Sequence, residues 1–192
     1  MAVHTRQRII DATAELYRRQ GMAATGLKQI SAASTTPFGS IYHHFPGGKE
    51  EISEAVIAAE GKRYGQLVGP QLAAVTDVVA EIPGLFASAG QLLAALDYTE
   101  ACSIETIALE VASTNERLRL ATATVFNQWI DDLDEWYARM GLPANERRRL
   151  AFVFLTSLEG AFVLCRSLRS LEPMDAAGTA VQAATRAIVN SR

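Results

Sequence analysis

Three observations predict an all-α fold. Apolar residues recur at three- and four-residue intervals through most of the chain, alternating β-branched runs are nearly absent, and prolines fall mostly at apparent junctions. With 49% hydrophobic content over 192 residues, one domain or two small ones can bury a core without disulfide or metal support.

The first helix runs from Thr5. Ile9, Ile10, Ala12, Thr13, Leu16 and Tyr17 share a face, Arg18 and Arg19 suit its C-terminal end, and Gly21 stops it. A short second helix in "TGLKQISAAS" puts Leu27, Ile30 and Ala33 on one face, with Thr25 as its N-cap. The third starts at Pro37, which suits a first helical position, with Thr36 as cap and Ile41 and Phe45 as its apolar pair. Three short helices in about 45 residues, the last two joined by a tight turn, have the spacing of a helix-turn-helix unit.

"PGGKEE" then turns the chain into a longer helix over 49–67, whose first turns carry Glu50, Glu51 and Glu54 where the helix dipole favours anions. Apolar stretches follow at 72–82, 83–96 and 104–112, then a long helix at 116–139 and one capped by Asn145. A last helix of small residues covers 176–189. Between residues 150 and 171 the apolar side chains cover most of the helix circumference, so one side is expected on the chain's own core and another on a second copy of the chain. Phe152, Leu155, Glu159, Phe162, Val163 and Arg166 are expected at that homodimer interface, and Gly160 and Ala161 would permit close approach.

Charge is distributed unevenly. Through Lys49 there are six basic residues against Asp11 and Glu15, a net +4; the other 12 basic and 19 acidic residues give −7, and together −3. A basic head on an acidic body is the pattern expected if only the head meets phosphates. The N-terminus lacks the apolar core of a secretory signal, and the uncharged apolar stretch 82–96 is short for a membrane span. A cytoplasmic protein without a membrane partner is therefore expected. Cys102 and Cys165 have no metal-ligand spacing and read as reduced, buried residues.

"SIYHHFPGGK" concentrates polar and aromatic groups. His43 and His44 are adjacent and point about 100° apart on a helix, so they do not chelate one ion, and no metal or cofactor is expected. The Gly-Lys turn lacks the spacing and preceding strand of a nucleotide-binding loop. A DNA-reading helix remains: Thr36, Pro37, Phe38, Gly39, Ser40 and His43 toward bases, with Thr25, Lys28, Tyr42, His44 and Lys49 toward phosphates. Phe38 stands out as a large apolar residue that gains only by reaching a thymine methyl or a sugar. All three histidines lie in the first 44 residues and no catalytic constellation is visible, so an enzyme is not expected.

These first fifty residues resemble the DNA-binding domain of the TetR/AcrR family of transcriptional regulators, through Thr25, Ile30, Gly39, Ile41, Tyr42, His44, Phe45, Lys49 and Glu50. The turn departs from the family pattern: Thr35, Thr36 and Pro37 replace the usual Gly-Val-Ser, so a residue with a Cβ must fit where glycine is usual. The doubled glycine, Pro37, "CSIETIALEVAS" and "TSLEGAFVLCRS" are similar to the LmrA/YxaF-like branch. The resemblance implies about nine helices, a helix-turn-helix domain at 1–48, and an effector-binding and dimerisation domain at 49–192. It also implies a homodimer and aromatic or drug-like ligands. Phe126, Trp129, Ile130 and Leu133 on one long helix, with Phe86, Leu93, Cys102 and Phe154, are expected to line the ligand cavity. The function expected is a ligand-responsive regulator that represses at a palindromic operator on double-stranded DNA; the alternative is a helical small-molecule-binding or scaffold protein with a degenerate head.

Overall fold

In the computed structural model the described residues, 2–100 and 102–191, form nine helices and no strand. They are α1 (Ala2–Gln20), α2 (Leu27–Ala33), α3 (Phe38–His44), α4 (Gly48–Ala74), α5 (Val78–Ala95), α6 (Ser103–Val111), α7 (Glu116–Arg139), α8 (Ala144–Leu168) and α9 (Glu172–Asn190). Met1, Ala101 and Arg192, which the expected division at 48/49 includes, lie outside these residues.

Packing groups the helices into two units, and these do not follow chain order. One gathers Met1–Tyr64 with Cys102–Val125, and the other Gly65–Ala101 with Phe126–Arg192. The start of α4, all of α6 and the start of α7 thus pack with the helix-turn-helix.

In the first unit Ile9, Tyr17, Ile30, Ile41, Phe45, Ile52, Val56, Ile104 and Ile107 are wholly buried. Burying such side chains contributes about 1.5–3 kcal/mol each, and the seven-residue helices α2 and α3 depend on it because helices that short do not persist alone. One carboxylate is buried with them. Glu60 accepts from Arg18 (2.8 Å), Arg63 (2.9 Å) and Ser103 Oγ (3.2 Å), which ties α1, α4 and α6 together. Its charge is tolerated because each approach is a charge-assisted hydrogen bond. The Tyr17 hydroxyl is bonded to Ser53 at 2.7 Å, and burial pushes its pKa up to about 12.

The second unit is built on α5, α8 and α9, over a core that includes Ile82, Phe86, Trp136, Tyr137, Leu150, Phe154, Met174 and Val181. By length and composition α5 and α8 could each cross a membrane; here their apolar faces pack inward, with Phe86 and Phe154 5.0 Å apart. In the acidic run 131–135, Asp131 and Asp134 pair with Arg148 and Arg147 of α8.

Several local expectations are corrected. α4 continues through Pro70 to Ala74, and Pro83 lies inside α5 rather than between two stretches. Gly26, not Thr25, is the N-cap of α2, and Gln29 bonds back to the Gly26 N–H at 2.8 Å. Pro37 caps α3 without any side-chain bond from Thr36, and Pro143 stands at the N-cap of α8 in place of Asn145. On α2 the buried polar neighbour is Ser34, while Ala33 is exposed.

The proline within α5 is compensated across the core. Pro83 has no N–H, so the Val79 carbonyl four residues earlier loses its helical donor. Gln182 Nε2 of α9 donates to that carbonyl at 2.8 Å. Close approach is possible because Gly178 faces α5: a Cβ there would lie 3.0 Å from Phe86 Cβ and 3.3 Å from Pro83 Cα. Gln182→Ala is expected to lower stability by about 1–2 kcal/mol in urea denaturation, and less in a Pro83→Ala background where the helix supplies its own donor.

Candidate nucleic-acid interface

The turn between α2 and α3 has to reverse the chain within four residues without glycine. Thr35 takes φ +50, in the left-handed region that a β-branched residue enters at a cost of about 1–2 kcal/mol. Hydrogen bonds hold it there from both sides. Thr36 N donates to Ser31 O (3.0 Å), Ser31 Oγ to Thr36 O (2.7 Å), and Ser34 Oγ to Ile30 O (2.7 Å). The two helices therefore keep a fixed angle despite the altered turn.

What α3 buries and what it presents follow from helical spacing. Ile41 and the following Phe45 are wholly buried, and the Arg6 guanidinium lies 4.8 Å from the Phe45 ring centroid. Phe38, Gly39, Tyr42 and His43 occupy the opposite face and are exposed, as are Pro37 and Lys28. Ser40 and His44 are half-buried. The rings of Phe38 and Tyr42, one turn apart, sit 5.9 Å from centroid to centroid. These eight expected DNA-facing residues are thus at least partly open on this small unit.

The remaining three are placed otherwise. Thr36 is buried, its hydroxyl donating to Ser34 O at 3.1 Å, so its side chain does not face outward. Thr25 is also buried; its hydroxyl donates to Gly21 O (2.7 Å) and accepts from Gln20 (3.1 Å). Lys49 is half-buried and donates to Met22 O at 2.6 Å, leaving two of its three N–H groups for other partners. Desolvation holds its pKa below the usual lysine value, partly offset by the charge of Glu110.

Glu110 was not foreseen, and it organises the loop between α1 and α2. Its carboxylate accepts from Met22 N (3.1 Å) and Ala23 N (2.6 Å) across 88 and 87 residues of sequence. Gly21 suits its backbone angle, φ +81, and a Cβ there, 2.5 Å from Glu110 Oε1, would push that carboxylate off the loop amides. Lys49 on the Met22 carbonyl and Glu110 on the adjacent amides grip the same loop from α4 and α6. No local spacing could signal this contact. In the second turn, Gly48 takes φ +64, and the Gly47 N–H donates to Glu51 at 2.8 Å.

Of the eight residues expected to line a ligand cavity, Phe86, Leu93, Ile130, Leu133 and Phe154 are buried members of one continuous core. Phe126 and Trp129 are half-buried, with rings 5.7 Å apart. Cys102 belongs to the other unit, as the N-cap of α6.

Comparison with known proteins adds the following. Residues 9–56 match the family described as bacterial regulatory proteins, tetR family, and residues 78–180 match the LmrA/YxaF-like transcriptional regulator C-terminal domain. An HTH-type transcriptional regulator of Mycobacterium tuberculosis is 30% identical over 176 residues, covering 88% of each chain. The HTH-type transcriptional regulator LmrA of Bacillus subtilis is 25% identical over 170 residues, 88% of this chain and 90% of that one. A crystal structure of a TetR regulatory protein from Rhodobacter sphaeroides superposes with a TM-score of 0.82 over 93% of this chain and 97% of the other, at 20% identity, which speaks to the fold alone.

Two substitutions test this geometry. Thr35→Gly should raise the thermal stability by about 1 kcal/mol, because the left-handed strain disappears faster than glycine's extra chain entropy accumulates. Glu110→Ala should lower it by about 1–2 kcal/mol in denaturant titration and speed hydrogen exchange at Met22 and Ala23.

Proposed function

The chain belongs to the TetR family of bacterial transcriptional regulators, in its LmrA/YxaF-like branch, and on that footing we propose that it is a repressor that binds a palindromic operator as a homodimer and is released by a small aromatic or drug-like effector. It is an HTH-type transcriptional regulator and not an enzyme. The observation that carries the finer reading is the exposed face of α3, four residues spaced as one helical stripe on a unit whose own core they do not serve. Recognition helices in such motifs enter the major groove with their N-terminal residues on the bases. Lys28 and Tyr42 are open to phosphates, and two heads would meet half-sites about 34–36 Å apart or at multiples of that distance.

A second stripe supports the homodimer. Phe152, Val163, Leu164 and Leu168 of α8 are exposed at 46%, 44%, 52% and 64%, and Ala176, Ala180, Ala183 and Ala187 of α9 are exposed at helical spacing. Large exposed apolar side chains gathered on one helix are a mark of interaction surfaces, and isologous pairing would cover them. Of the expected interface residues, Leu155, Glu159 and Phe162 are half-buried already, and Arg166 donates to the carbonyls of Tyr98 and Thr99. An effector acts here only if it prefers one arrangement of the two heads over the other, and the body core around Phe86, Leu93, Ile130, Leu133 and Phe154, with Phe126 and Trp129, is where we place it. α4 and α7 each contribute residues to both units, so a change in the body reaches the head along continuous helix. A cytoplasmic location accompanies this role.

The deciding experiment is a mobility shift at fixed salt, using the DNA that flanks the protein's own gene, with and without planar aromatic compounds. Saturable binding weakened by one compound is expected. A folded dimer that shifts no fragment specifically would favour the ligand-binding scaffold instead. Val163→Glu with Leu164→Glu should sediment as a 20.8 kDa monomer and lose about 10²-fold or more in operator affinity, since the second head no longer binds intramolecularly.

A further inference from the structure

Between Thr35 and His44 the chain has no Arg, Lys, Asn or Gln. Those are the side chains whose bidentate pairs identify guanine and adenine from the major groove. Thr35, Ser40 and His43 offer single hydrogen bonds at most. The largest side chain at the N-terminal end of α3 is instead Phe38, 40% exposed, with no polar atom.

The surroundings of Phe38 are shaped for contact with something small and apolar. Tyr42, one turn on and 48% exposed, lies 5.9 Å away with its ring tilted 50°, which braces the Phe38 ring from one side. Gly39 beside it has nothing within 4 Å of where a Cβ would stand, so the fold does not require glycine there. The open space lets a base edge come close. In the major groove one base carries an apolar group on its edge, the 5-methyl of thymine. We propose that Phe38, braced by Tyr42, recognises the methyl group of a thymine in each operator half-site. This deepens the DNA-binding reading and rests on it.

The consequence is a regulator whose base discrimination is largely apolar, with phosphate contacts setting register. The test uses the full-length protein and an operator selected from random-sequence duplexes. Each thymine is replaced in turn by deoxyuridine, which keeps the base pair and removes only the methyl, and affinity is titrated at constant salt. At one thymine per half-site the wild type should weaken about fourfold, and about fifteenfold when both symmetric positions are replaced, the value of burying one methyl or two. Phe38→Ala should bind the thymine and uracil operators equally, and Phe38→Leu should retain part of the preference.

Equal affinity of the wild type for both operators at every position overturns the proposal, and so does a Phe38→Ala protein that keeps the wild-type ratio. The uracil series on the wild type needs no variant, so it decides the matter even if a substitution at Phe38 impairs folding. If the wild type selects no duplex at all, the DNA-binding reading fails and this inference falls with it; selection without methyl dependence removes this inference alone.

Discussion

The grip of Glu110 and Lys49 on the loop after α1 is the constraint on which the head depends. Helices of seven residues carry too few internal hydrogen bonds to hold a direction of their own. Their orientation is set by what precedes them, and here the backbone of Met22 and Ala23 is fixed from α6 and α4. A residue without an acceptor at 110 would leave two amides to water and release the start of α2. A side chain at position 21 would displace the same carboxylate. Buried Glu60, with its partners on α1, α4 and α6, repeats the arrangement one layer deeper.

The body unit is held by a different principle. Its core is largely apolar, and a backbone defect in α5, the Val79 carbonyl left by Pro83, is satisfied by Gln182 from a neighbouring helix. Gly178 allows the approach that makes this bond possible. A defect repaired by a side chain more than a hundred residues away fixes the register of α9 on α5, since sliding by one turn would remove the donor. α8 shares the same core while keeping an apolar outer stripe. One helix thus serves the interior and carries the exposed apolar residues of the proposed interface.

A recognition helix this poor in hydrogen-bonding side chains places unusual weight on its neighbours. Each head alone would discriminate weakly, and in the proposed homodimer the pairing of two heads would multiply whatever discrimination each possesses. In the proposed repressor, regulation would then work through geometry: an effector need only disturb the spacing of two weak readers to release the pair.

Helical periodicity and punctuation were enough to read the helix-turn-helix, the buried Ile41 and Phe45, the outward Phe38, Gly39, Tyr42 and His43, and the all-α class, because those features depend on residues within one or two turns of each other. Turn chemistry was legible in part: the missing glycine at Thr35 was visible, while the hydrogen bonds that hold Thr35 at positive φ were not. Thr25 and Thr36 read as caps facing DNA and are buried instead, since a threonine suits an exposed cap and a buried hydroxyl equally until its surroundings are known. Pro83 looked like a boundary because its replacement donor comes from Gln182. Glu110 looked like one more surface carboxylate because the amides it holds lie near residue 22. What the sequence by itself determined is the local grammar of this protein, helix by helix and face by face. The tertiary structure decided which distant groups complete each other's hydrogen bonds, because that depends on proximity in space, which a periodic pattern along the chain does not encode.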